Sequence, residues 1–383
     1  MKNNRLDYWI FYTVLGLMAF GIIMVYSASA FYAEKFFHDH LFFLKRQLLW
    51  VLLGLLAMIV AYRFPYVKIQ GRSWLFILIS IVLLCYVIFS HSGRWIELGL
   101  FNIQVSDITR LSLVLFFADS LSRKEQYLKS YREGYLPHLF YVLLLAGLII
   151  IQPDFSSAFM VVVIGVALMF ISPIPLRYFF TNFIVLIPTA IIVIKFSSYR
   201  FERIEAFLKP ESDLLGKGYQ IVQSLISLGA GGIAGVGFAQ SNQKLFFLPE
   251  AHTDFIFSII GEEWGFIGTT IIVILFFILM WRGLCVTKNA PEKYSKYLAF
   301  GLTINIVSYA LINIMVATHM APPTGLPLPF ISYGGSSMIV SSITVGLLLN
   351  ISRRVNSIEY KSNYLFTNRA IENLQNRKLR YIR

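Results

Sequence analysis

Hydrophobic positions in this chain collect into long unbroken runs, not into the alternating or 3.6-residue stripes of a soluble domain. The runs lie near 8–28, 46–62, 74–90, 106–122, 137–151, 155–172, 178–196, 264–284, 297–319 and 336–352. Each approaches the roughly 20 residues that a helix needs to cross a bilayer core. Pro153 and Asp154 split the apolar stretch 137–172 into a tight helical hairpin. The pattern predicts an all-α polytopic membrane protein, a bundle of about ten transmembrane helices. One connection is long: residues 197–253 form a large extracytoplasmic loop between spans 7 and 8. Within it, Tyr219 to Ile226 reads as a short amphipathic helix at the outer interface, followed by Gly229, Gly231, Gly232, Gly235 and Gly237. Residues 1–355 are expected to form the membrane domain and 356–383 a basic cytoplasmic tail.

Composition agrees and removes the alternatives. Hydrophobic residues make up 57% and charged residues 14%, with a mean hydropathy of +0.67. A soluble protein carries about 25% charged residues, so lipid is the solvent for most of this chain. The net charge of +13 does not indicate nucleic acid. Most of the 33 Lys and Arg fall at the N-terminus, in alternate loops and in the tail, which places both termini in the cytoplasm. Ala28-Ser29-Ala30 resembles a cleavage site, but the preceding run is longer than a signal core, so the first span is read as uncleaved. Cys85 and Cys285 fit neither a metal spacing nor a disulfide framework.

Ionisable residues inside spans are functional candidates. Asp107 and Arg110 stand at i, i+3 on the fourth span, either pairing to order the bundle or meeting substrate. Asp119, near the cytoplasmic end of that span, reads as wetted. Asp154 suits an N-cap as well as a site. Adjacent Glu262 and Glu263 point in different directions on a helix, so at least one is structural. The densest cluster is Lys244, Glu250, His252, Thr253 and Asp254. His252 reads as a hydrogen-bonded structural histidine or as part of a site. HExxH, paired-Cys and Walker patterns are all missing from the sequence, so metalloprotease and ATPase readings have no footing.

Three segments then carry a resemblance. They are Tyr199-Arg200-Phe201-Glu202-Arg203 with Gly218-Tyr219-Gln220 and Gln223-Ser224; Leu248 through Phe257 followed by Gly261-Glu262-Glu263; and Pro323-Thr324-Gly325 with Leu328 through Ser337, which includes Ser332. In these the chain resembles the SEDS (shape, elongation, division and sporulation) membrane glycosyltransferases, FtsW, RodA and SpoVE, from about residue 8 to 355. Met24 to Ser29, Phe43 to Gln47 and Glu250-Ala251-His252 look more like FtsW or SpoVE than RodA. Where the family reads Gln-Pro-Ser-Glu-x-x-Lys, this chain has Gln104-Val105-Ser106-Asp107-Ile108-Thr109-Arg110, and Ser156-Ser157 replaces Gly-Thr. Charge signs survive while side-chain lengths change.

The resemblance implies polymerisation of lipid II at the outer face of the bacterial cytoplasmic membrane, with Asp254 as the catalytic carboxylate. Pyrophosphate is a good leaving group, so one general base on the acceptor 4-hydroxyl suffices. Arg203 and Lys244, then Arg200, Lys217 and Arg94, are the candidate cations for the departing pyrophosphate. Gln220, Gln223 and Ser224 either bond sugars or keep one helix face wet. Glu250, His252, Thr253, Asp107, Arg110, Asp154 and Ser332 complete the expected substrate contacts. No cofactor is required by this reading, and a divalent cation is left open. The expected partners are a class B penicillin-binding protein and other division or elongation membrane proteins, with a septal role ahead of a RodA-like elongation role. A lipid II flippase and a non-catalytic scaffold are the competing classes.

Overall fold

A computed structural model describes residues 6–90, 93–99, 101–181, 203, 205–210 and 216–355. The seventh expected span lies outside these residues beyond 181, as do Arg200 and the tail 356–383. The apolar runs fold as helices because lipid offers backbone groups no hydrogen-bond partner. They are α1 (Tyr8–Phe37), α2 (Phe42–Arg63), α3 (Trp74–Ser90), α4 (Val105–Arg123), α5 (Leu136–Ile151) and α6 (Phe155–Ile171). After the short α7 (Lys217–Ala230) come α8 (Ile256–Asn289), α9 (Lys293–Ala317) and α10 (Gly335–Val355). Among the described residues six helices are long and apolar enough to cross a membrane, and α3 and α6 are shorter apolar helices. Helix α1 runs unbroken through Ala28-Ser29-Ala30.

Two helices form the buried centre. Helix α4 packs against α3, α6 and α9, and nearly its whole surface from Val105 to Leu121 is covered. That position explains how it holds charged residues: each must find a partner inside the bundle. Asp119 does so. It is fully buried and accepts hydrogen bonds from Gly71 N–H (3.0 Å) and Ser73 Oγ (2.5 Å), and it pairs with Arg123 at 2.8 Å. The expected wetted carboxylate is therefore a tether for the α2–α3 connection. Helix α10 is the other central element. Ser342 and Met338 lie against Gly54 of α2, and Asn350 donates to the carbonyls of Ala61 and Phe64.

The bundle has two chemically distinct ends. At one, Arg282 pairs with Asp7, Arg354 with Glu292, and Lys293 with Glu125. At the other lie α7, the segment 231–255, and an unanticipated antiparallel hairpin, β1 (Trp95–Leu98) and β2 (Phe101–Gln104). Its turn contains Gly99 at φ +69°. The hairpin feeds directly into α4.

Helix α8 also departs from the expected span. It begins at Ile256, and Gly265 inside it has φ 63°, ψ −161°. The glycine-rich segment fills this break. Val236 N–H donates to Glu262 O and Gly237 N–H to Glu263 O, while Phe266 and Ile267 N–H donate to Gly232 O and Ile233 O. Backbone groups released by the break are thus re-paired by a second piece of backbone. A Cβ on Gly235 would come within 2.2 Å of Glu263 O, so only glycine admits this approach.

Candidate functional site

Asp254 is presented by a tight turn. The Glu250 carbonyl accepts N–H bonds from Thr253, Asp254 and Phe255 at 3.1–3.2 Å, and Glu250 itself has φ 53°. Asn313 of α9, almost fully buried, donates one side-chain N–H to Asp254 O and the other to Leu326 O, both at 2.8 Å. This side chain clamps the Asp254 turn to the Pro323–Phe330 segment. Across the gap stands Gly325 at φ +74°, where a Cβ would lie 3.3 Å from Asp254 Oδ2. Ser332 accepts from Leu328 N–H (2.8 Å) and donates to Thr253 O (2.5 Å), and Tyr333 N–H donates to His252 O. Two loops far apart in sequence are fastened into one floor.

The Asp254 carboxyl is half-buried and its pKa is raised to about 6. Burial is the largest cause, the Glu250 carboxylate adds to it, and Arg94 and Arg203 oppose it. The arrangement is thus a carboxylate with two cations acting on it. Arg203 is placed by Ser156 Oγ (3.2 Å) and Thr324 O (3.4 Å), and the same Ser156 hydroxyl donates to Thr324 O. Arg94 sits exposed beside the hairpin. Among the described residues no three His, Cys, Asp or Glu stand together as a metal-binding group.

Several expected substrate contacts are placed differently. Lys244 is buried and pairs with Glu263 at 2.9 Å, with Ser27 Oγ at 3.3 Å. Its charge holds segment 241–248 to α8 and α1 and is not available to a pyrophosphate. Ser224 has no exposed surface; it bonds Ser258 Oγ and Ala317 O, fixing α7 to α8 and α9. Ser332 belongs to the floor just described. The His252 ring packs among Phe43, Tyr32 and Tyr333 at 4.6–5.9 Å, and burial lowers its pKa. Glu262 accepts from Ser227, Ser241 and Asn242, and Glu263 from Ser27, so both adjacent glutamates are structural.

Gln220 and Gln223 are half-buried on α7, and Thr253 Oγ1 donates to Glu250 Oε2 at 2.8 Å. Asp154 caps α6 through Ser157 N–H and accepts from Gln104 Nε2. Asp107 and Arg110 form a buried pair at 3.3 Å. The Arg110 guanidinium lies 3.9 Å from the Tyr309 ring centre, and Ser336 Oγ donates to Asp107. Sequence reasoning missed Asn313, and it quoted Gly325 as a motif residue without assigning it a place beside Asp254. It also missed a cavity of about 420 Å³ beside Thr253, lined in part by Trp50, Trp95 and Asn102.

A family described as "Cell cycle protein", covering FtsW, RodA and SpoVE, matches residues 7–357. The chain belongs to this family. It is similar to the probable peptidoglycan glycosyltransferase FtsW of Trichlorobacter lovleyi, with 40% identity covering 88% of this chain and 91% of that protein. The stage V sporulation protein E of Bacillus subtilis is 38% identical, covering 92% and 98%. Among solved structures, a chain from a study of how a peptidoglycan synthase complex coordinates polymerisation and crosslinking superposes with a TM-score of 0.75 at 27% identity, covering 91% and 98%. The Thermus thermophilus rod shape determining protein RodA shares the fold, with a TM-score of 0.66 at 23% identity, covering 91% and 97%. The FtsW/RodA/SpoVE membership thus extends over the helical bundle and the loops that build the Asp254 floor.

Proposed function

We propose that this FtsW/RodA/SpoVE-family chain is a peptidoglycan glycosyltransferase in which Asp254 is the general base. The carrying observation is a half-buried carboxylate, presented by a rigid turn, with Arg94 and Arg203 acting on its charge. In the reaction the acceptor 4-hydroxyl of one lipid-linked disaccharide attacks C1 of another. Asp254 takes the hydroxyl proton as the new C–O bond forms, and the old C1–O bond gives its electron pair to the departing pyrophosphate. Arg94 and Arg203 face the negative charge that develops there. The substrate is lipid II, and the partner is a class B penicillin-binding protein serving the septal wall.

The same reading sets the protein in the bacterial inner membrane with about ten spans, a large outer loop between spans 7 and 8, and both termini cytoplasmic. Buried charges suit a flippase as well as an enzyme, and the broken helix α8 is a feature a flippase reading can claim, since transporters place substrate at such breaks. Here the freed backbone is occupied by residues 232–237, which favours the enzyme.

The test is gel-resolved polymer from labelled lipid II, made by matched wild-type and Asp254→Asn preparations with a thermal-melt control. Polymer should fall by about 10²–10⁴-fold, the range for loss of a general base. Near-normal polymer from folded Asp254→Asn protein would eliminate Asp254, leaving Glu250 as the next carboxylate.

A further inference from the structure

A cavity of about 420 Å³ opens between α2, the β1–β2 hairpin and the start of α10. That volume is in the lower part of the roughly 300–1,000 Å³ range of small-molecule sites. Its walls are Arg46, Leu49 and Trp50 from α2, Trp95 and Asn102 from the hairpin, Thr253, and Tyr333 with the two glycines that follow. The lining therefore offers three large aromatic side chains, one amide, one guanidinium and no carboxylate.

The hairpin register explains why Trp95 and Asn102 share a wall. Trp95 pairs with Gln104 and Glu97 with Asn102, while Ile96 pairs with Ile103. Side chains alternate across a strand, so Trp95, Glu97, Asn102 and Gln104 occupy one face. Ile96, on the other, packs against the apolar core. Trp50 is set by a different constraint. A Cβ on Gly335 would lie 2.3 Å from the Trp50 indole. The missing side chain at the first residue of α10 is what lets this ring lie against the helix end. Arg46 is held beside the opening with its guanidinium 4.2 Å from the Phe42 ring centre.

Aromatic faces combined with amide and guanidinium donors are the chemistry that recognises a pyranose. The rings take its C–H face, and the polar groups take its hydroxyl or acetamido oxygens. The wall residue Thr253 directly precedes Asp254. We infer that this cavity is a saccharide subsite that seats an N-acetylated pyranose ring against the Thr253 side of the turn that carries Asp254. The inference rests on the glycosyltransferase reading for its substrate class. The sugar has two sources, the lipid-linked monomer and the growing glycan strand.

Binding is measured on full-length protein in nanodiscs, in an Asp254→Asn background so that nothing is consumed. One probe is a soluble tetrasaccharide of alternating N-acetylglucosamine and N-acetylmuramic acid; the other is fluorescent lipid II. Trp95→Ala and Asn102→Ala should each weaken at least one probe by about 10-fold, the scale of one lost aromatic or hydrogen-bond contact. Trp95→Phe should retain most of the affinity. Weakened tetrasaccharide binding assigns the subsite to the growing strand, and weakened lipid II binding alone assigns it to the monomer. Asn102 is exposed at the cavity rim, so its variant keeps the test open if Trp95→Ala unfolds. Unchanged affinity for both probes in folded Asn102→Ala protein overturns the subsite. Polymerisation by Asp254→Asn would instead defeat the base assignment, and this binding result would stand apart from it.

Discussion

At the residue scale, the proposed chemistry makes one titration the test of the Asp254 assignment. A general base works only when ionised, and Asp254, with its pKa raised to about 6, loses that state as the medium becomes mildly acidic. Polymerisation rate should therefore rise with pH, reach half its plateau near 6, and fall about tenfold per pH unit well below that. The signs of the perturbations follow from the neighbours. Glu250→Gln removes a negative charge that opposes ionisation and should move the midpoint down. Arg203→Gln removes a positive charge that favours it and should move the midpoint up, besides lowering the plateau. Rates of lipid II polymerisation from pH 4.5 to 8 in the three proteins check this. A midpoint that stays fixed in Glu250→Gln would detach the profile from Asp254. Spacing alone makes the Asp107–Arg110 pair legible, whereas Asp254 stands out in the sequence only through motif resemblance. Sequence reading misplaced Lys244 and Ser224 because burial was invisible to it. Their partners, the Glu263 carboxylate and Ser27 hydroxyl for Lys244 and the Ala317 carbonyl for Ser224, come from helices brought together only by folding.

At the scale of elements, the long apolar helices were legible because each carries its own periodicity-free apolar run, and length decides the rest. The hairpin was not. Its strands are four residues each, too short for alternation to stand out between two apolar helices. The break in α8 was hidden for a different reason. Gly265 sits in a sequence that is apolar on both sides, and only the docked segment 231–237 shows why the helix is interrupted there. That docking makes a sharp prediction. Gly235 has φ +82° and its missing side chain faces Glu263 O. Gly235→Ala should cost at least about 1–3 kcal/mol from backbone strain alone and should lower both the melting temperature and polymer yield. Gly147→Ala is the matched control: it lies in α5 with nothing within 4 Å of the added Cβ. It should gain up to about 1 kcal/mol from helix propensity. Equal melting temperatures for the two variants would show that the 231–237 segment does not brace α8.

At the scale of the whole molecule, the distribution of charge sets which end of the bundle faces which compartment. The end that carries Asp7–Arg282, Glu292–Arg354 and Glu125–Lys293 also collects Arg63, Lys68, Arg72, Lys124 and Lys129. Translocating that many cations is disfavoured, so this end should remain cytoplasmic. Asp254, the hairpin and α7 then lie at the outer end, where a substrate already carried across the membrane would be met. The arrangement also separates two kinds of buried charge. Asp119 and Asp7 lock connections at the basic end, whereas the carboxylate expected to react is at the other end, with its own pair of arginines. Single cysteines at Lys129 and Asn242, both exposed, test this orientation in a background with Cys85 and Cys285 replaced by alanine. With a membrane-impermeant maleimide on intact cells, Asn242→Cys should react at once and Lys129→Cys only after permeabilisation. The reverse pattern would put Asp254 in the cytoplasm and would leave an outer-face polymerase without a base. Labelling of neither site before permeabilisation would place the 231–255 segment below the outer surface, against its role as a docking floor for a substrate arriving from outside.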